Sequence, residues 1–144
     1  MTLSSAKGRP AGRCHMKGNC GKKSIFSPEL PCPVDEKATV PQDDDFRQLL
    51  VSTCGSDYAS GPVCCTQAQV ESLGANLQQA EPLISSCPAC RNNFRSMFCA
   101  FTCSPNQSQF VDIVETQEVT GSDGRPSEAV KTVELFIESD WKQK

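Results

Sequence analysis

One histidine, one tryptophan and one tyrosine stand in 144 residues, and their scarcity already excludes several chemistries. With His15 the lone imidazole, a Ser-His-Asp or Cys-His arrangement would depend on a residue of the amino-terminal arm, where a solvent-facing histidine is the plainer expectation. The Asp and Glu residues are scattered without a fixed pairing, so hydrolysis by paired carboxylates finds no support. No stretch approaches the roughly 20 apolar residues of a membrane-spanning helix. MTLSSAKGRPAG, Met1 to Gly12, lacks the apolar core of a signal peptide and is expected to be a disordered or non-native segment ahead of a domain over 13–144. A basic face is missing as well: 14 Lys and Arg against 17 Asp and Glu leave a net charge of -3, and the early cations read as a solvated arm. Nucleic acid is not an expected partner.

Cysteine, in contrast, is abundant. Ten cysteines, at 14, 20, 32, 54, 64, 65, 87, 90, 99 and 103, all fall before residue 104. Such density belongs to oxidising compartments, where disulfides reinforce a core that a chain of this length can build only modestly.

The periodicity predicts an α+β fold with a disulfide-rich helical core. Phe46, Leu49, Leu50 and Cys54 recur at helical spacing behind a run of Asp, which gives a helix over 43–54. Val70, Leu73 and Leu77 give a second over 66–80, capped by Thr66 and stopped at Pro82, after which a short turn of helix resumes. Pro88, well placed for a first helical turn, opens a third over 88–103. At 100° per residue its Cys90, Phe94, Met97 and Phe101 share one side and its Cys99 and Cys103 the other. Period-two alternation over 110–119 and 129–138, around GSDGRPSE, predicts a β-hairpin. Residues 13–42 show no sustained period and read as a loop-rich segment pinned by disulfides. Glu138-Ser139-Asp140-Trp141 resembles a helix cap and first turn, so the chain is expected to be incomplete at its carboxyl end.

Cys87-Pro88-Ala89-Cys90 at a helix start admits a thiol oxidoreductase, because the helix amino end lowers a thiol pKa. Such enzymes place the motif after a strand, however, and here a broken helix precedes it, so two structural half-cystines are the simpler reading. Zinc would need Cys87, Cys90, Cys99 and Cys103, whose last two face away from Cys90 on the same helix; no metal or other cofactor is expected. Adjacent Cys64 and Cys65 point in divergent directions and should each tie a different neighbour to the second helix. Asn106-Gln107-Ser108 is a glycosylation sequon in an expected exposed turn.

Gly18-Asn19-Cys20, Leu30-Pro31-Cys32, Pro62-Val63-Cys64-Cys65, Cys87-Pro88-Ala89-Cys90 and FCAFTCSPNQS, Phe98 to Ser108, together resemble the amino-terminal luminal domain of the Niemann-Pick type C1 family, and most closely its fungal members. The resemblance implies a sterol-binding domain of the lysosomal or vacuolar lumen, with no covalent chemistry. Its sterol would come from a soluble luminal carrier of the Niemann-Pick type C2 kind and pass to the membrane part of the same polypeptide. Gln69 matches the glutamine that serves the sterol hydroxyl, though by itself it reads as an ordinary surface helix residue. Pro31 stands where the family has a second polar contact, an asparagine. Met16, Asn19, Leu73, Asn76 and Phe98 align with the pocket lining. The implied disulfides are Cys14-Cys64, Cys20-Cys32, Cys54-Cys99 and Cys65-Cys103, with Cys87 and Cys90 paired to cysteines outside the chain. Helices that follow the hairpin complete the pocket in the family, so weak sterol binding or none is expected of this chain. A folate- or riboflavin-carrier-like binder, which would stack a flat ligand on aromatics such as Trp141, is the alternative within the binding class.

Overall fold

A computed structural model describes residues 11–84 and 86–136. The order is β1 (Arg13–Gly21), β2 (Leu30–Lys37), α1 (Asp44–Cys54), α2 (Gln67–Ile84), α3 (Pro88–Cys103), β3 (Val111–Thr120) and β4 (Pro126–Leu135), with single 3-10 turns at Ser56–Tyr58 and Gln107–Gln109. Over the described residues it is an α+β arrangement of three helices and two antiparallel hairpins.

The helix starts follow from their capping residues. Asp43 caps α1, its carboxylate accepting from the Asp45 N–H at 2.9 Å. That satisfies one of the donors a helix start leaves unpaired. Thr66 and Gln69 form a reciprocal capping box at α2: the Gln69 N–H donates to Thr66 Oγ1 at 3.4 Å, and the Thr66 N–H to Gln69 Oε1 at 3.0 Å. Cys87 caps α3, with Pro88 in the first turn where its missing N–H costs nothing.

Three expectations are corrected. Residues 13–42 are not a loop: β1 and β2 pair antiparallel, with register shifts between Cys14 and Met16 and between Lys17 and Gly21. Those irregularities, with the prolines of β2, break the alternation by which a strand is recognised, so the pairing rests on contacts distant in sequence. Pro82 does not stop α2, which runs to Ile84. Only Leu83 and Ile84 follow it in the helix, so the proline removes one hydrogen bond near an end that frays anyway. His15 is not a solvent-facing arm residue either, because it is half-buried in β1 with its Nδ1 2.6 Å from the Val111 carbonyl.

The interior consists of three small clusters. Leu50, Val63, Cys65, Val70 and Cys103 form one, Leu73, Leu77 and Cys99 a second, and Met16, Val111 and Val130 a third. Disulfides join the layers: Cys14–Cys64, Cys20–Cys32, Cys54–Cys99 and Cys65–Cys103, the same four pairs that the resemblance implies. Adjacent Cys64 and Cys65 thus reach β1 and α3 respectively. Within the described residues Cys87 and Cys90 bond to each other, where the resemblance implies partners outside the chain. Their positions as cap and first-turn residue bring the two Cα atoms to 5.2 Å, within disulfide range. Arg95 ties α3 to its neighbours by donating to the Thr53 carbonyl at 3.0 Å and pairing with Glu81.

Candidate functional site

Helix α2 directs Gln69, Leu73 and Asn76, spaced four and three apart, along one side, and α3 directs Phe98, Phe101 and Thr102 toward it. Met16 and Asn19 of β1 and Pro31 of β2 complete a cleft of about 530 Å³ between the helices and the first hairpin. That volume lies within the range of small-molecule sites. All seven residues taken from the resemblance therefore lie around one cavity: Gln69, Met16, Asn19, Pro31, Leu73, Asn76 and Phe98. Phe101, from the aromatic side of α3, also lines it, as do Lys22, Pro28, Glu29, Ser72, Ala75 and Thr102, none of which was singled out as a pocket residue in the sequence. Ser72 was nonetheless accessible from the helical spacing, three residues past Gln69.

The floor is apolar and fixed. Met16 is 3% exposed and packs with Val111 and Val130 beneath Phe101. Leu73 is buried against Leu77 and Cys99. Cys99 and Cys103 do lie opposite the aromatic side of α3, but that sulfur-bearing side is the buried one. The aromatic side is half open: Phe98 is 37% exposed and stacks on Phe94, centroids 4.7 Å apart and tilted by 46°.

Among the polar groups that line the cleft, Gln69 is held by two backbone donors. Its Oε1 accepts from the Thr66 N–H at 3.0 Å and the Gly18 N–H at 2.7 Å. The second bond is possible because Gly18 has φ +77, a left-handed conformation that turns its amide out of the β1–β2 ladder. With the oxygen committed, the Nε2 end is the part of the amide left to serve a ligand, and a polar ligand atom facing it must accept. Pro31 adds no side-chain donor beside it.

Gln107 escaped notice in the sequence because it reads as the middle residue of a sequon. It is fully buried, accepts from the His15 and Met16 N–H groups at 2.9 Å each, and donates to the Phe101 carbonyl at 2.9 Å. It thus bolts β1 to the end of α3, two walls of the cleft. The candidate acceptor Asn106 is exposed, with its Oδ1 accepting from the Gly12 N–H at 2.8 Å, while Ser108 of the same sequon is buried.

The cleft suits an amphipathic ligand with an apolar body and few polar atoms. Every cysteine is disulfide-bonded, which leaves no thiolate to ligate zinc. Cys87 and Cys90, the candidates for redox exchange, are preceded by α2 and not by a strand, and neither lines the cleft. Trp141, on which a stacked heteroaromatic ligand would depend, lies outside the described residues.

The sequence model described as Niemann-Pick C1 N terminus matches residues 11–144. The chain belongs to the Niemann-Pick C1 N-terminal family. The Caenorhabditis elegans protein named NPC intracellular cholesterol transporter 1 homolog 1 is 39% identical over 139 residues, 89% of this chain and 10% of that protein. The mouse protein named NPC1-like intracellular cholesterol transporter 1 is 31% identical over 160 residues, 100% of this chain and 12% of its own length. Pig NPC intracellular cholesterol transporter 1 is 32% identical over 99 residues, 67% of this chain and 8% of that protein. The chain thus spans about a tenth of the relatives it matches. Among its described residues no helix is long and apolar enough to cross a membrane.

Proposed function

We propose that the chain binds the apolar body of a sterol in the cleft between α2, α3 and the first hairpin, with the sterol hydroxyl at Gln69. The observation that carries this reading is the arrangement of Gln69 above an apolar floor of Met16, Leu73 and Phe101. The names of the relatives, cholesterol transporters, supply the ligand class. Burying on the order of 400 Å² of sterol contributes roughly 10 kcal/mol at about 25 cal/mol per Å², before the costs of binding. A hydroxyl taken out of water with it needs a partner, and Gln69 Nε2 is a donor with no other partner among the described residues. In this reading the domain works in the lumen of the lysosome or vacuole, without catalysing a reaction. It accepts sterol from a soluble carrier of the Niemann-Pick type C2 kind and passes it to membrane-embedded parts of a longer polypeptide.

Photolabelling with a diazirine-bearing cholesterol, which captures weak complexes, tests the reading. Labelled peptides from α2 and α3, suppressed by excess unlabelled cholesterol, are expected; label that is not competed or that falls outside the cleft removes the proposal. Gln69→Glu sharpens it. The carboxylate keeps an acceptor for Thr66 and Gly18 but replaces the Nε2 donor, so labelling by a 3-keto sterol should fall about tenfold, the worth of one hydrogen bond. A hydroxysterol, which can donate to the carboxylate, should lose much less.

A further inference from the structure

The loop that joins β1 to β2 forms a tight turn, in which the Ser27 N–H donates to the Ser24 carbonyl at 3.1 Å and the two serine hydroxyls meet at 2.9 Å. Its two corner positions, which elsewhere favour Gly, Pro, Asn or Asp, hold Ile25 and Phe26, 82% and 92% exposed. The base of the loop is fixed. The Cys20–Cys32 disulfide closes it, and Lys22 exchanges backbone hydrogen bonds with Thr120 at 3.1 and 2.9 Å. Lys22 and Lys23, both exposed, stand one residue, Ser24, before the tip, with Lys23 Nζ also donating to Gln117 Oε1 at 3.1 Å, and the neighbouring turn presents Gly121 and Ser122 ahead of a single acid, Asp123.

We infer that this loop seats the domain on an anionic lipid bilayer, Ile25 and Phe26 entering the headgroup boundary while Lys22 and Lys23 meet lipid phosphates. Large apolar side chains on a fixed turn pay their solvent exposure continuously, and a yielding apolar medium beside negative charge repays it. A convex tip of two side chains fits such a medium better than a protein surface, for which a stable interface buries about 800 Å² per partner. The position matters for ligand exchange, because Pro28 and Glu29 of the same loop line the cleft. A single residue, Ser27, separates Phe26 from Pro28, so the tip and that wall lie at most about 7 Å apart along the chain.

Co-sedimentation of the full chain with sterol-free vesicles tests the inference without involving sterol binding, so the two proposals fail separately. Binding is expected to vesicles of phosphatidylcholine with about one-third phosphatidylglycerol, well above that to phosphatidylcholine alone. The double variant Ile25→Ser with Phe26→Ser, at exposed positions that leave the fold intact by circular dichroism, should weaken the partition about tenfold or more. Phe26→Trp, made with Trp141→Phe so that it holds the one tryptophan, should shift its emission to the blue and be quenched by brominated acyl chains. The inference is overturned if neither vesicle binds the chain, if the double serine variant binds undiminished, or if the emission stays unmoved by vesicles while a soluble carrier protein shifts it.

Discussion

Gln107 spends both ends of its amide inside the fold, joining β1 to the end of α3, whereas Gln69 spends only its oxygen. The same residue type is scaffold in one place and candidate ligand contact in the other, and only the partners of each atom distinguish them. Tyr58 offers a test of how dry the interior beside α1 is. It packs against the Leu50 cluster, and burial, with a smaller push from the Asp57 carboxylate, holds its phenol above the usual value. The neutral phenol is the form the fold prefers. Its contribution to stability is therefore fully present below the unfolded pKa of about 10 and is lost as pH rises through the higher folded value. Tyr58 is the one tyrosine, so the tyrosinate absorbance reports it directly. The titration midpoint should lie above 10 in the native chain and return to about 10 in concentrated denaturant. Coincident midpoints would mean that water reaches the ring.

At the scale of elements, helices announced themselves and the first hairpin did not. The boundaries of α3 follow from Pro88 at one end and Ser104-Pro105 at the other, and α1 from the Asp run, since both ends depend on local chemistry. Strand β1 owes its shape to partners far along the chain: Gln107 holds its His15 and Met16 amides, Gln69 its Gly18, and Thr120 the residue after its end. None of these leaves a period in the sequence. For the same reason the cleft became legible only through motif resemblance, and its unmarked residues, Lys22, Glu29, Ser72 and Thr102, appeared when the elements were assembled. The junction of the two hairpins depends on Gly21, with φ +141, where an added Cβ would lie 2.3 Å from the Thr120 carbonyl oxygen. Backbone cannot yield as a side-chain tip can. Gly21→Ala should therefore cost about 2 kcal/mol or more in urea unfolding, and hydrogen exchange at Lys22 and Thr120 should accelerate ahead of the rest. Unchanged protection at these two amides would show that the hairpins are held together elsewhere.

Across the whole molecule, stability is distributed over three small clusters with disulfides at their seams, and the pairs are not equivalent. Cys14–Cys64 bridges a separation of 50 residues and lies buried at both ends, joining β1 to the start of α2. Cys87–Cys90 spans a separation of 3, within one exposed turn. A cross-link restrains the unfolded chain in proportion to the logarithm of the loop it closes, so the long one is worth about 4 kcal/mol and the short one about 2 kcal/mol or less. Paired alanine replacement of Cys14 and Cys64 should lower unfolding free energy by about twice as much as that of Cys87 and Cys90. Access orders their chemistry the same way: limiting dithiothreitol followed by alkylation and peptide mapping should label Cys87 and Cys90 before any other cysteine. If buried Cys99 or Cys103 is labelled first, the helical layer opens more readily than its burial implies. That order also bears on the cleft. Cys54–Cys99 and Cys65–Cys103 lock α3, with Phe98 and Phe101, to α1 and the start of α2, so reduction confined to Cys87 and Cys90 should leave sterol photolabelling intact.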